Sequence, residues 1–200
     1  MTKPVECTGV ILAGGASRRM GQDKALMILD GKPMIERVAL ALRSVTQRVI
    51  IVADDTARYA EYADQCVPDH YKGVGTLGGI HGGLAAAEHD LIFVVGCDMP
   101  FVDPQLVLWF LEAAKGWDAV VLKQGGYVDP LHAVYRKSCL PAVEKMIASG
   151  NQRAMSFHPY VRVRNVELSE LPATGDSIRS FENVNTRDDW ERVIAALRRE

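Results

Sequence analysis

A short apolar run near the start of this chain ends in two glycines that are followed by basic residues. The run covers residues 10–13, the glycines are Gly14 and Gly15, and Arg19 and Lys24 follow. Glycine lacks a Cβ, so the backbone can turn here, approach a ligand closely and present its N–H groups to oxyanions. Arginine offers a planar fork of donors, and lysine adds a point charge on a flexible stem. A glycine pair alone is equally compatible with a solvated surface loop, but the whole segment predicts a polyphosphate-binding loop.

This loop differs from two common phosphate-binding motifs. A Walker loop requires G-x-x-x-x-G-K-[ST], whereas Lys24 is followed by Ala25 and the glycine spacing does not fit. The dinucleotide fingerprint G-x-G-x-x-G is absent from this segment as well. The segment therefore represents another class of nucleotide-binding loop.

Apolar segments of two kinds alternate along the chain. Short runs rich in β-branched residues are typical of strands that are buried on both faces of a parallel sheet. Between and after them, apolar residues recur at helical spacing. Helices are predicted to begin at Pro33, at Asp103 and Pro104, and after a capping box of Thr186 and Asp189. The strands are predicted at residues 8–13, 48–53, 90–96 and 117–122.

This alternation predicts one three-layer α/β/α domain, with a mainly parallel central sheet, over residues 1–200. In such folds ligands bind beyond the carboxyl ends of the strands. The glycine loop and the turn at Cys97 and Asp98 both follow predicted strands. We therefore expect these two segments to converge.

Composition and charge argue against several classes of function. The 200 residues are 48% hydrophobic with a formal net charge of −2, and the basic residues are scattered. This is not the electrostatic footprint of a protein that binds nucleic acid or an anionic membrane. The four cysteines are far apart, without a C-x-x-C pair, which favours buried reduced thiols over a zinc site or disulfide framework. With no apparent signal peptide or membrane span, we expect a cytoplasmic protein.

Asp98 follows the apolar run at residues 91–95 and begins a second candidate site. Its carboxylate is predicted to stand at the mouth of the sheet, and such an oxygen ligand suits Mg²⁺. The aspartate could instead cap the turn before Pro100. From these residues alone, both interpretations stay open.

Residues 12–24 as a whole carry the pattern L-A-G-G-x-S-x-R-M-G-x-D-K. This pattern resembles the signature of the nucleotidyltransferases that build the molybdenum cofactor, the molybdopterin-guanine dinucleotide biosynthesis protein A family of guanylyltransferases. The resemblance extends from about residue 8 to residue 189. It implies a Rossmann-like nucleotidyltransferase fold and the substrates GTP and molybdopterin. It also implies Mg²⁺ bound by the aspartate of a C-D-x-P motif, which matches Asp98.

The resemblance also implies a reaction and its site residues. The terminal phosphate of molybdopterin would attack the α-phosphate of GTP and release pyrophosphate without an enzyme nucleophile. Catalysis would then rest on positioning and on charge stabilisation. The implied catalytic residues are Arg19, Lys24 and Asp98, and Asp98 would also hold the metal. The implied nucleotide-binding residues are Leu12, Ala13, Gly14, Gly15, Lys24, Asp69 and Asp98.

Two features bear on the base. The glycine-rich residues 73–80 predict a pliable loop that could wrap a base and ribose, or else a flexible hinge, and Thr76 replaces the proline of the family's G-P-L-x-G. The start L-A-G-G favours guanine, because cytidylyl-transferring relatives tend to have L-A-A-G. Asp69, which matches a family nucleotide-binding aspartate, could accept from both N1–H and the exocyclic amino group of guanine. A family asparagine is missing at about Val52, which the aspartates that follow could offset only in part.

Two segments of the C-terminal third also resemble the family. Residues 130–135 are similar to its P-L-h-A-v-Y strand, and residues 181–186 to its F-x-N-V-N-T turn. Both regions flank the second substrate in the family, so Asn183 and Asn185 could bind the pterin edge or its phosphate. Asn185 is more typical of a helix cap. His132 lies on an apolar strand without an evident partner and is interpreted as a core histidine rather than a base.

Two other functions stay open. A different nucleotidyltransferase, coupling CTP or another NTP to a pterin, a sugar phosphate or an isoprenoid phosphate, would need the same loop and metal carboxylate. A non-catalytic adaptor that delivers cofactor to apo-enzymes would keep the loop without turnover, and the intact Arg19, Lys24 and Asp98 argue against it. The expected partners are GTP and molybdopterin as substrates, with cofactor-delivery proteins and molybdoenzymes downstream.

Overall fold

The computed structural model describes residues 4–14, 23–172 and 178–197. The strands in this part are β1 (Val5–Leu12), β2 (Ile28–Leu29), β3 (Lys32–Pro33), β4 (Thr46–Val52), β5 (Gln65–Val67), β6 (Leu91–Gly96), β7 (Ala119–Gln124), β8 (Tyr127–Val128), β9 (Ala133–Arg136) and β10 (Val163–Val166). The α-helices are α1 (Met34–Arg43), α2 (Thr76–Ala86), α3 (Pro104–Ala113), α4 (Leu140–Ala148) and α5 (Arg187–Leu197).

One central sheet contains all of these strands except the β2–β3 hairpin. Its order is β10-β7-β9-β6-β1-β4-β5, and β8 pairs with β7. Strand β1 runs parallel to both β4 and β6, β4 parallel to β5, and β10 parallel to β7. Strand β9 is antiparallel to β6 and β7, and β8 is antiparallel to β7. The prediction of a mainly parallel central sheet is confirmed.

Helices cover both faces of this sheet, which explains why its strands are apolar throughout. Successive side chains of a strand point to opposite faces. In β1, Val10 joins the apolar cluster of α2 and α4, whereas Ile11 joins the cluster of α1 and α3. Helix α5 packs separately, through Val193, against Leu29, Met34 and Val184. The predicted three-layer α/β/α arrangement is therefore present.

The predicted helix starts agree with the structure to within one residue. Pro33 has an extended ψ of 143° and immediately precedes α1. Asp103 caps α3, because its Oδ1 accepts from the backbone N–H of Gln105 at 2.8 Å. At α5, the N–H of Asp189 donates to Thr186 Oγ1 at 3.1 Å, and the N–H of Thr186 donates to Asp189 Oδ2 at 2.9 Å. This reciprocal pair is the predicted capping box.

The prediction of a pliable loop over residues 73–80 is wrong beyond Gly75. Helix α2 begins at Thr76 and includes the second half of the glycine-rich segment. Positive φ is confined to Gly73 (84°) and Gly75 (70°) within this segment. Only the short turn before the helix has the backbone conformation that requires glycine.

The glycines inside α2 serve close packing instead. A Cβ on Gly79 would lie 2.8 Å from Leu12, and a Cβ on Gly83 would lie 2.7 Å from Val10. Both glycines therefore let α2 approach β1 more closely than larger residues would allow. Local composition suggested flexibility, whereas contacts with a distant strand decide that the segment is buried.

Two further expectations concern helices and thiols. No helix in the described part of the chain combines the length and apolar character that a membrane span needs. All four cysteines are free thiols, of which Cys7 and Cys139 are buried as predicted. Cys66 and Cys97 are partly exposed, so that prediction is wrong for these two residues.

Candidate active site

The ends of β1 and β6 bring the two predicted motifs together. Leu12 pairs with Gly96 as the last residues of these parallel strands. The N–H of Cys97 then donates to the carbonyl of Leu12 at 3.1 Å. Ala13 and Gly14 on one side, and Asp98 on the other, consequently leave the same edge of the sheet. The expected convergence is confirmed.

The carboxylate of Asp98 folds back over the end of β6. A Cβ on Gly96 would lie 2.5 Å from Asp98 Oδ1, so the carboxylate occupies space that only glycine leaves open. Burial raises the pKa of the Asp98 carboxyl above its ordinary value, and the positive charge of Lys24 acts in the opposite direction. The aspartate is thus a partly buried carboxylate that faces a cation.

Lys24 begins a short 3₁₀ turn, Lys24–Leu26. Its Nζ donates to Oδ1 of Asn185 at 3.1 Å. The preceding residue, Val184, donates its N–H to the carbonyl of Asp98 at 2.9 Å. Two adjacent residues of the C-terminal segment therefore connect Lys24 with Asp98. Because Thr186 and Asp189 cap α5, the interpretation of the Asn185 side chain as a helix cap is wrong.

A second carboxylate near Asp98 was missed by the sequence analysis. Asp129 precedes β9, and its Oδ1 accepts from the N–H of Leu131 at 2.9 Å. Burial raises the pKa of Asp129, and the negative charge of Asp98 raises it further. The strand pattern carried no signal of this position, because it depends on the antiparallel pairing of β9 with β6, in which the start of β9 meets the end of β6.

These oxygen donors fit a small hard cation. Burial disfavours the charged form of Asp98, and a bound cation would offset that cost. Mg²⁺ commonly takes one or two protein carboxylates and completes its shell with water and phosphate oxygens. Within residues 4–14, 23–172 and 178–197, no group of three or more His, Cys, Asp or Glu side chains is arranged to hold a metal. The donor set therefore suits a metal that shares its ligands with a substrate.

The turn that carries Lys24 is anchored by Asp23, which the sequence analysis also did not single out. Its Oδ1 accepts from the N–H of Ala25 at 3.1 Å. Its Oδ2 accepts from the hydroxyl of Tyr59 at 2.7 Å and from Nη1 of Arg58 at 2.9 Å. Arg58 and Tyr59 belong to the segment after β4, so this carboxylate joins two loops at the same edge of the sheet.

Asp69 lies beyond the end of β5, on the other side of β1 from Asp98. Its Oδ1 accepts from the N–H of Tyr71 at 2.9 Å. A Cβ on Gly78 of α2 would come within 2.8 Å of this oxygen. Burial raises the pKa of Asp69, and the charge of Asp54 acts in the same direction. Three strand-to-strand steps of about 4.8 Å separate β5 from β6, so the two carboxylates bracket an edge about 14 Å long.

The phosphate loop is described only in part. Gly15 and Arg19 lie outside the described residues, so their predicted roles stay predictions. Gly14 is exposed, and a Cβ there would meet no other group within 4 Å. Gly14 does not adopt positive φ, so the conformational freedom of glycine is not used for a left-handed turn at this residue.

The side chains of Asn183 and His132 contact other groups of the protein and have structural roles. Nδ2 of Asn183 donates to the carbonyl of Phe181 at 3.4 Å, a local turn contact. His132 is fully buried, and its Nε2 lies 2.5 Å from Oγ of Ser180. Burial lowers the pKa of His132 to about 3, so the ring is neutral and aromatic rings pack around it. The interpretation as a core histidine is confirmed.

Comparison with known proteins gives a consistent result. Residues 9–163 match the MobA-like NTP transferase domain. A probable molybdenum cofactor guanylyltransferase of Pelotomaculum thermopropionicum is 41% identical over 193 residues, which cover 96% of this chain and 94% of that protein. A molybdenum cofactor guanylyltransferase of Desulfosudis oleivorans is 34% identical, with 96% of each chain covered. The crystal structure of molybdopterin-guanine dinucleotide biosynthesis protein A from Archaeoglobus fulgidus superposes with a TM-score of 0.83 at 28% identity, covering 96% of this chain and 100% of that one.

Proposed function

This chain belongs to the MobA-like NTP transferase family, and from that premise we propose that it transfers GMP from GTP to the terminal phosphate of molybdopterin and releases pyrophosphate. Curated relatives that match nearly its whole length carry the name molybdenum cofactor guanylyltransferase. The chain is accordingly a nucleotidyltransferase of molybdenum cofactor biosynthesis. Delivery of the product to molybdoenzymes through carrier proteins, in the cytoplasm, is part of the proposal.

One structural observation carries this proposal: at the edge of the sheet where β1 and β6 end, Lys24 and Asp98 are connected by the adjacent residues Asn185 and Val184. Burial raises the pKa of Asp98, and the charge of Lys24 lowers it against this effect. The acceptor phosphate is already a competent nucleophile, so the protein has to align two phosphate groups and offset their charge. Lys24 would neutralise charge that develops on the leaving pyrophosphate, and Arg19 would share this task. No enzyme nucleophile is needed for such a transfer.

Asp98 is the residue that would hold Mg²⁺, with Asp129 beside it. When bound, the ion would supply positive charge to the phosphate oxygens of GTP. Burial raises the pKa of Asp98 because it disfavours the ionised carboxylate. A bound Mg²⁺ would offset this cost and so favour the ionised form. Gly96 leaves the space in which the carboxylate turns toward the ends of β1 and β6.

The guanine base would lie toward Asp69. One carboxylate can accept from both N1–H and the 2-amino group of guanine, whereas cytosine offers a single amino donor. Leu12, Ala13 and Gly14 would line the path from this base to the metal carboxylate. Asp69 is partly buried, so a base that leaves it unpaired is penalised.

The acceptor would approach from the C-terminal segment. Asn185 already contacts Lys24 through its Oδ1, and its amide group adds donors suited to a phosphate. Asn183, two residues earlier, would contribute to the pterin side of the same surface. The hydrogen bond between Val184 and the backbone of Asp98, which holds this segment beside Asp98, supports both assignments.

The test is an assay of pyrophosphate release from each of the four NTPs, with and without molybdopterin, with Mg²⁺ present and after its removal. We expect release only with GTP, molybdopterin and Mg²⁺ together, and mass spectrometry should identify a guanine dinucleotide product. A cytosine dinucleotide would instead indicate the cytidylyl-transferring alternative. Tight GTP binding without any pyrophosphate would indicate a non-catalytic adaptor.

A further inference from the structure

The carboxylate of Asp23 is held by two residues that come from a different loop. The hydroxyl of Tyr59 donates to Oδ2 at 2.7 Å, and Nη1 of Arg58 donates to the same oxygen at 2.9 Å. The other oxygen accepts from the N–H of Ala25 and so closes the 3₁₀ turn. All three contacts involve the residue that immediately precedes Lys24.

The ring of Tyr59 packs in the protein core, and its hydroxyl contacts Asp23. Its side chain is 6% exposed and joins the apolar cluster on the face of α1 and α3, which also contains Ala25 of the Lys24 turn. Burial and the neighbouring Asp23 charge both raise the pKa of Tyr59, so the phenol stays protonated and donates. The Tyr59 hydroxyl, whose ring is packed in this apolar cluster, therefore holds the Asp23 carboxylate in place.

Arg58 has a different task, because its side chain is half exposed. It forms an ion pair with Asp23 and so offsets the negative charge next to Lys24. With Asp23 engaged by Arg58 and Tyr59, the ammonium group of Lys24 is directed to Asn185. A lysine side chain has four rotatable bonds. If the backbone at Lys24 is held in place, less conformational entropy is lost when the side chain binds a phosphate.

We propose that Arg58 and Tyr59 are positioning residues for Lys24, acting through the carboxylate of Asp23. The kinetic part of this inference rests on the proposed guanylyl transfer. The structural part, an ordered Lys24 in the substrate-free protein, does not depend on it. The two parts can be tested separately.

The kinetic test compares Tyr59→Phe with Tyr62→Phe. The first change removes only the hydroxyl that contacts Asp23, and the second removes a hydroxyl of the same segment that lies beside Glu61. Tyr59→Phe should lower kcat about tenfold, the size expected for a hydrogen bond to a charged group, and change KM for GTP less than about twofold. Tyr62→Phe should leave both constants unchanged. Arg58→Gln should resemble Tyr59→Phe, and Arg58→Lys should restore part of kcat.

The structural test measures amine labelling of Lys24 by acetic anhydride in the substrate-free protein, with mass spectrometry as the readout and the exposed Lys115 as internal reference. Lys24 should be labelled several-fold faster in Tyr59→Phe and Arg58→Gln than in the parent or in Tyr62→Phe. Arg58→Gln changes a half-exposed residue, so this variant keeps the test valid if Tyr59→Phe fails to fold.

Unchanged labelling of Lys24 in both variants would overturn the proposal, even if kcat fell, because the contacts would then act by another route. If Lys24 is labelled faster in the two variants but the parent protein does not use GTP, the positioning of Lys24 is supported and the proposed function is contradicted.

Discussion

Lys24 and Asn185 are 161 positions apart in sequence, yet Nζ of the lysine donates to Oδ1 of the asparagine at 3.1 Å. This contact brings the C-terminal segment to the phosphate-loop side of the site. The residue before Asn185 is bonded to the backbone of Asp98. A nucleotide that binds at this edge would therefore meet residues from both ends of the chain.

Lys24→Ala should lower turnover by about 10²–10³-fold, because it removes a cation that would stabilise the leaving pyrophosphate. The thermal midpoint should change little, since the side chain has an exposed contact only. Steady-state pyrophosphate release measures the effect, and Lys115→Ala is the control for loss of a surface charge. Parental activity in Lys24→Ala would exclude the lysine from the mechanism.

Gly96→Ala should displace the Asp98 carboxylate, because the new Cβ would lie 2.5 Å from its Oδ1. A shift of about 1 Å at a reacting centre can cost about 100-fold in rate. We expect a loss of that order in kcat/KM for GTP together with a higher Mg²⁺ requirement, measured by titrating Mg²⁺ at saturating GTP. An unchanged Mg²⁺ requirement would show that the position of this carboxylate is unimportant.

Asp98→Asn should abolish Mg²⁺-dependent turnover and make the protein more resistant to urea at neutral pH. In the folded protein the pKa of Asp98 is raised by burial, so ionisation of this carboxyl costs stability. That cost is absent below the unfolded pKa of about 3.9 and grows as pH rises through the folded pKa. The urea midpoints of parent and variant should therefore be similar near pH 3.5 and differ at pH 7. A variant less stable than the parent at pH 7 would contradict this account.

Asp69→Ala should erode the preference for GTP over CTP. Loss of a partly buried acceptor that would pair with two guanine donors corresponds to about 1–3 kcal/mol, or about tenfold to a hundredfold in selectivity. Competition between GTP and CTP at equal concentration, read by mass spectrometry of the dinucleotide product, measures the ratio. Glu112→Ala is the control, because it removes an exposed carboxylate of α3 to which no binding role is assigned. If the ratio stays at the parental value, guanine is recognised elsewhere.

Parts of the site could be predicted from the sequence because they depend on where strands end and on contacts between residues close in sequence. Parallel strands end at one edge of their sheet, so the segments that follow residues 12 and 96 had to emerge together. Helix caps are equally local, and the pairs at Asp103 and at Thr186 form within a few residues. Apolar strand runs and helical spacing together determined the three layers.

Tertiary structure alone decided which side chains support these motifs. Tyr59 reaches Asp23 across 36 positions, and Asp129 comes to Asp98 because β9 turns back against β6. The glycines of α2 indicated flexibility by composition, yet contact with β1 makes them part of a buried helix. Periodicity in the sequence indicates which face of an element is apolar, but it does not indicate which distant residue packs against that face. The turn that begins at Lys24 is such a case, because Asp23 before it accepts from the hydroxyl of Tyr59, a residue that the sequence analysis did not single out.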